Sequence, residues 1–226
     1  MSKVRIIALI PARRNSKGIL FKNRQMISGI SLVEHALNLA KECSFDEIII
    51  STDDEYFLEH EYISKYCHQR DERFSGDEAI VADVVRHYSE DEKRKDDFFV
   101  ILEPTTFLRN KKHLDFLFDG SFFRENKKTF ASFVIAPIVR EKMWDFDSGK
   151  MIPHPNVWRR RQEYRTQYIL SGHYYGLYLS QIKHLYPSLC DENLYPLIIE
   201  DDIHIDIDSQ KDLDIARIIL ADKLIQ

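Results

Sequence analysis

Four short apolar runs, each closed by polar or proline-bearing residues and most followed by side chains at helical spacing, constrain this chain more than any other feature. Residues 4–10 form the first run, DEIIIST spans 46–52, DFFVILEP spans 97–104 and FASFVIA spans 130–136. Strands that are apolar on both faces belong to parallel sheets covered by helices. Ser31 then opens SLVE, a capping box in which Ser31 and Glu34 satisfy each other's free amides. Leu32, Val33, Ala36, Leu37, Ala40 and Cys43 follow at helical spacing. Helical patterns also cover 55–66, 79–92 and 110–118, the second placing Val81, Val84, Val85 and Tyr88 on one side. HYYGLYL (173–179) and IHIDID (203–208) read as two more strands, and SQKDLDIARIILADKL closes the chain as a helix. The order predicts an α/β fold with a mainly parallel sheet and helices on both faces. From about 139 to 168 the pattern breaks around Gly149, Pro153, Pro155 and Arg159–Arg161, which predicts an irregular or hairpin excursion inside a single domain spanning 1–226.

In open parallel sheets, ligands bind beyond the carboxyl ends of the strands. Three polar stretches fall there: PARRNSKG after the first strand, STDD after the second and EPTTFLR after the third. The first is unusual in charge. Seven basic residues and no acidic one precede Glu34, yet the chain as a whole carries a net charge of −5. That balance argues against nucleic acid as a partner, which needs a broad basic face. No apolar run approaches the roughly 20 residues of a membrane span. The three widely spaced cysteines suggest neither a disulfide framework nor a zinc knuckle, and suit a reducing cytoplasm. A cationic loop at a strand end therefore points to a small anion. Arginine forks and mobile lysine charges suit a polyphosphate, although the loop is neither a GxxxxGK[ST] P-loop nor a GxGxxG fingerprint.

IPARRNSKGILFKN (10–23) resembles the IPARGGSKGIPxKN signature of the acylneuraminate cytidylyltransferases, the CMP-sialic acid synthetases. ISTDD, RDERFSGDEAIVADVVRH, EPTTFLR, RQEYRTQYILSGHYYGLYL and IDIDSQKDLDIA are similar, in order, to further segments of that family. The resemblance implies a Rossmann-like nucleotidyltransferase fold and the transfer of CMP from CTP to a keto sugar acid. Carried over by position, Arg13, Ser16, Lys17 and Lys22 would hold the triphosphate, while Asn23 and Arg70 would fix cytidine. Glu103, Tyr168 and Ser171 would face the sugar acid. The family is dimeric, so the 139–168 excursion is expected to bring Arg161 or Arg165 to the partner's site in a homodimer.

Asp206 and Asp208 alternate with Ile205 and Ile207, so a strand period of two puts both carboxylates on one face. Two hard oxygen ligands suit Mg²⁺, which completes its shell with phosphate and water. Asp208 is also placed to cap the helix that follows, with Ser209 and Asp212 forming a second capping box. No HExxH or Cys/His set at zinc spacing occurs, and this chemistry needs no serine nucleophile. Several positions depart from the family: Arg14-Asn15 replaces Gly-Gly, Phe107 replaces proline, Glu103 replaces glutamine, Val81 replaces a serine or threonine, and Ser171 replaces asparagine. The phosphate and metal stations are kept, while the sugar side is rewritten, at Glu103 and Ser171. These departures predict that N-acetylneuraminic acid is a poor acceptor and that another acid is preferred. CMP-Kdo-type synthesis and a catalytically silent nucleotide-binding homologue are the alternatives.

Overall fold

The structure, a computed structural model, describes residues 4–125, 128–136, 144–148, 150–153, 166–200 and 204–223. Strand β1 (Ile6–Pro11) is followed by a small hairpin, β2 (Met26–Ile27) and β3 (Ile30–Ser31), then by helix α1 (Leu32–Glu42) and β4 (Glu47–Thr52). Next come α2 (Glu55–Leu58), β5 (Cys67–Gln69), α3 (Val81–Tyr88), β6 (Phe98–Ile101), α4 (Asp115–Phe118), α5 (Ser121–Arg124) and β7 (Thr129–Ile135). A second hairpin, β8 (Trp144–Asp147) and β9 (Lys150–Pro153), precedes β10 (Tyr168–Tyr178), α6 (Ile182–Leu185), β11 (Tyr195–Ile198) and α7 (Gln210–Lys223). Seven strands make the main sheet in the order β11-β7-β10-β6-β1-β4-β5. Its pairings are parallel except for those of β10, which runs antiparallel to both β6 and β7.

Both faces of the sheet are covered, as the uninterrupted apolar runs require. Ile6, Ala8 and Ile10 of β1 pack with Val33, Ala36, Leu37 and Ala40 of α1 on one side. Ile7 and Leu9 pack with Val84 and Val85 of α3 and with Ile182 and Leu185 of α6 on the other. The capping box of α1 forms as expected: Glu34 N–H donates to Ser31 Oγ at 3.2 Å and Ser31 N–H to Glu34 Oε2 at 2.7 Å. A third cluster joins Ile19 of the cationic loop to Ile27, Leu32, Phe107, Ile207, Leu213 and Ala216. It explains one departure from the family pattern: the Phe107 side chain is buried there, its ring 5.5 Å from that of His35.

Some expectations change. The helix expected over 55–66 is a single α-turn in α2 and a separate 3₁₀ turn at Ser64–Tyr66, because only Phe57 and Ile63 of this stretch are buried. Strand β5 was not expected; three residues with no apolar alternation carry no period. The strand expected at 173–179 begins five residues earlier, with a register irregularity between Leu170 and Tyr175. Residues 204–208 belong to no ladder, yet Ile207 is fully buried and Asp206 and Asp208 are exposed. Extended backbone alone produces that alternation. The excursion contains the β8–β9 hairpin, while residues 137–143 and 154–165 lie outside the described residues.

Candidate active site

The loop after β1 is rooted by two bonds to β4: Ala12 N–H donates to Ser51 O at 2.9 Å and Thr52 Oγ1 donates to Ala12 O at 2.6 Å. Asn23, buried, closes it by donating from Nδ2 to Arg13 O at 2.8 Å. Its cations then divide by role. Arg24 is committed to structure: its fork grips the buried Asp54 and its guanidinium lies 4.3 Å over the Phe21 ring. Arg13 donates to Gly76 O at 2.8 Å and approaches Asp77 at 3.4 Å. Lys22 Nζ meets Asp208 Oδ1 at 2.9 Å, joining the loop to the far end of the chain. Lys17 is exposed and makes no ion pair among the described residues.

Arg14 and Asn15 do not need the left-handed freedom of the glycines they replace. In this loop the positive φ belongs to Phe21, at 48°. Arg14 N–H donates to Asp53 Oδ1 at 2.7 Å, and both side chains line a separate cavity of 500 Å³ with Phe21, Asp53 and Gln69. Gly18 is required for a different reason. A Cβ there would sit 2.0 Å from the backbone oxygen of Asp208, so the loop and the Asp206–Asp208 segment touch backbone to backbone.

One cleft of 610 Å³ opens beyond the carboxyl ends of β1 and β6. Arg13, Ser16, Lys17, Lys22, Asn23, Arg70, Glu103, Asp206 and Asp208 all line it. Arg70, buried behind β5, donates from Nη2 to Ser51 O at 2.7 Å and from Nε to Ser51 Oγ at 3.2 Å. Burial pulls its guanidinium down to about 10, so it still carries its charge at neutral pH. Glu103 follows β6, and burial, reinforced by the Asp206 carboxylate, pushes its carboxyl up to about 7. An ionised carboxylate only accepts hydrogen bonds, whereas a carboxyl that titrates there also donates when protonated.

Two expected sugar-side residues are not brought into the cleft. Ser171 is buried in β10 and its hydroxyl donates to Ser132 Oγ at 2.7 Å, so it opens no space for a substituent. Tyr168, at the start of β10, is exposed and outside the lining. Arg161 and Arg165 lie outside the described residues. Leu170 and Tyr175 of β10 and Pro187 and Leu189 after α6 supply the wall instead. Ala79, Ile80 and Val81 line the cleft together with Arg70. Apolar wall residues look like core in a sequence, and no charge or spacing marks them. Among the described residues no group of three or more His, Cys, Asp or Glu side chains could hold a metal alone, and no helix is long and apolar enough to cross a membrane.

Residues 7–113 match the family model described as Cytidylyltransferase. This segment is cytidylyltransferase-like. It is 29% identical over 119 residues to N-acylneuraminate cytidylyltransferase of Escherichia coli O18:K1:H7, covering 50% of this chain and 27% of that protein. N-acylneuraminate cytidylyltransferase A of Danio rerio is 32% identical over 117 residues, 48% of this chain and 26% of the relative. The enzyme of that name from Streptococcus agalactiae is 33% identical over 114 residues, again 48% of this chain and 27% of the relative. The resemblance read from the motifs is therefore borne out, over a matched region spanning about a quarter of those relatives' own lengths. Over nearly the whole chain the fold is shared with solved structures. A solved CMP:2-keto-3-deoxy-manno-octonic acid synthetase complexed with CTP superposes with a TM-score of 0.69 at 15% identity, covering 97% of this chain and 99% of that one. A 4-diphosphocytidyl-2C-methyl-D-erythritol synthase does so with 0.62 at 16% identity, covering 96% and 99%. The expected Rossmann-like, mainly parallel architecture is what this cytidylyltransferase-like chain adopts.

Proposed function

We propose that this chain transfers CMP from CTP to the anomeric hydroxyl of a nonulosonic, sialic-acid-like sugar acid, releasing pyrophosphate, in the cytoplasm and for surface-glycan assembly. The observation that carries the reading is the convergence, in one cleft, of the cations of the first loop with Arg70, Glu103 and the Asp206–Asp208 pair. In the reaction the acceptor hydroxyl oxygen bonds to the α-phosphorus and releases its proton to solvent, the bond from that phosphorus to the oxygen bridging to the β-phosphate breaks, and its pair of electrons leaves with pyrophosphate. Arg13, Ser16, Lys17 and Lys22 would bind that triphosphate and neutralise the charge that grows on its departing end, where preorganised donors contribute most. Asn23 and Arg70 would hold cytidine, and Glu103 would face the acceptor.

The donor set fits Mg²⁺. Asp206 and Asp208 are exposed carboxylates flanking the buried Ile207, and Asp208 already faces a cation in the Lys22 ammonium. Hard oxygen ligands of this kind, one or two with substrate phosphates beside them, are what Mg²⁺ takes. Bound there, the ion would supply Lewis-acid stabilisation of phosphoryl oxygens. Lys22 would then share its charge between Asp208 and the phosphates.

Pyrophosphate release with CTP over a panel of sialic, legionaminic, pseudaminic and Kdo-type acids tests the reading. Silence with all of them favours the non-catalytic alternative. Nucleotide choice is tested separately. CTP with Mg²⁺ at a hundredfold excess over its Kd is expected to stabilise the chain by about 2.7 kcal/mol, a rise of roughly 5–10 °C in Tm for a chain of this size. Smaller shifts are expected for ATP, GTP and UTP; equal shifts for all four would remove the cytidine assignment. Lys17→Ala is expected to weaken CTP binding roughly tenfold, the cost of one charge-assisted bond.

A homodimer is part of the same proposal. Ile135, Tyr168, Ile169 and Leu170 form an exposed apolar strip where β7 meets the start of β10, beside the excursion and the cleft. A second copy covering that strip would remove it from water. Sizing with light scattering at micromolar concentration is expected to give twice the chain mass, and a monomer would contradict this arrangement.

A further inference from the structure

The segment bearing Asp206 and Asp208 has no ladder to hold it, so its position depends on what touches it. One backbone bond lies between the two carboxylates: Ile207 N–H donates to Thr105 O at 3.1 Å. On the N-terminal side, the His204 ring packs against the His173 ring with centroids 5.1 Å apart. Thr105 and His173 lie on different elements, one in the turn after β6 and the other in the irregular stretch of β10.

Beyond the β6–β10 ladder, the Arg109 side chain bonds to both of these stretches. Arg109 Nε donates to His173 O at 2.8 Å, and its Nη2 donates to the Glu103 carbonyl and to the Thr106 hydroxyl. Thr106 Oγ1 donates onward to Gly172 O at 3.1 Å, adding a bond on the β10 side. A planar fork of fixed donors reaches two carbonyls and a hydroxyl at once; a lysine ammonium at the same place could not. Arg109 does not line the cleft, so it touches no ligand there. Its remaining nitrogen, Nη1, is buried without a partner among the described residues. An apolar side chain at 109 would leave the His173 and Glu103 carbonyls without this donor and the two stretches without this link.

We infer that Arg109 is a positioning residue for the carboxylate pair, holding the Glu103–Thr106 turn and the β10 irregularity in the arrangement that presents Asp206 and Asp208 to the cleft. The inference rests on the metal role proposed for that pair. It acts as the outer partners of a metal site do, through the geometry of the ligands, and loss of such partners typically lowers metal affinity about 10–100-fold.

Calorimetry with CTP, once in EDTA and once with excess Mn²⁺, separates positioning from general damage. The variants are Arg109→Lys and the milder, nearly isosteric Thr106→Val. In EDTA the CTP affinity of both is expected to stay within about twofold of the wild type, since the nucleotide-side residues lie on other elements. With Mn²⁺, the CTP affinity of Arg109→Lys is expected to fall roughly tenfold, that of Thr106→Val by a smaller factor, and the double variant no further than Arg109→Lys alone. Unchanged Mn²⁺-dependent affinity in both variants overturns the inference. Equal losses in EDTA and Mn²⁺ overturn it too, because they mark an ordinary structural residue. If Arg109→Lys does not fold, Thr106→Val decides by the same criteria. A wild-type chain whose CTP affinity is indifferent to Mn²⁺ sinks the metal role and this inference together. One that binds no CTP at all sinks the functional reading itself.

Discussion

Asp206→Asn is expected to lower turnover roughly 100-fold or more while leaving the fold intact, because it removes a ligand itself and not merely an outer partner. An amide oxygen is a poorer ligand for a hard cation than a carboxylate. Asp206 is exposed and its neighbour Ile207 carries the burial, so the substitution itself is expected to cost within about 0.5 kcal/mol of stability. Turnover is read by pyrophosphate release, stability by thermal melting, and CTP affinity in EDTA by calorimetry. Only the first is expected to change. A variant that keeps turnover within a few-fold of the wild type removes the pair from the chemistry.

The second large effect concerns Glu103 and pH. Its carboxyl titrates near 7 in the folded chain, chiefly through burial and secondarily through the Asp206 charge, against an ordinary value of 4.5; Arg109 and Lys22 pull the other way. Between those two values the folded chain keeps a proton that the unfolded chain has released. The contribution of Glu103 to stability therefore falls as pH rises from about 4.5 to about 7 and is flat above that. A shift of that size corresponds to about 3 kcal/mol at most, less to the extent that cleft water screens the carboxylate. Glu103→Gln removes the titration. Measured in EDTA by denaturant unfolding, the variant should match the wild type near pH 4.5 and exceed it by about 2–3 kcal/mol at pH 8. Parallel stability curves for the two proteins would show that Glu103 is not held protonated. The same variant carries the acceptor question, since glutamine mimics the protonated group. If Glu103 sets acceptor choice, the ranking of the acid panel should differ between wild type and variant at pH 8 more than at pH 6.

Local chemistry was legible wherever it repeats along the chain. The apolar runs of β1, β4, β6 and β7, the Ser31–Glu34 capping box and the closing helix α7 could all be read directly, because each is decided by neighbours within a few residues. The charged stations of the cleft were legible too: clustered cations at a strand end and an Asp-x-Asp alternation are signals that survive without a structure. Residues with no period and no charge were not. Three-residue β5, and cleft walls such as Leu170, Tyr175 and Leu189, look like ordinary core or connection until the chain folds.

Other properties exist only in three dimensions. Ser171 was expected to face a sugar, but the irregular register of β10 turns its hydroxyl onto Ser132, a residue 39 positions away. Glu103 is a carboxylate in sequence and a near-neutral acid in place, because burial and the distant Asp206 act on it together. Asp206 and Asp208 were read as one face of a strand; their alternation holds, but no ladder supports them. They are held by Thr105, the His173–His204 contact and the close approach of Gly18. Residue types and their spacing are enough to require a mainly parallel sheet, a cationic loop and a carboxylate pair. Burial, register and long-range contact decided which of those groups meet and in what protonation state, since each depends on atoms contributed by parts of the chain that no local pattern connects.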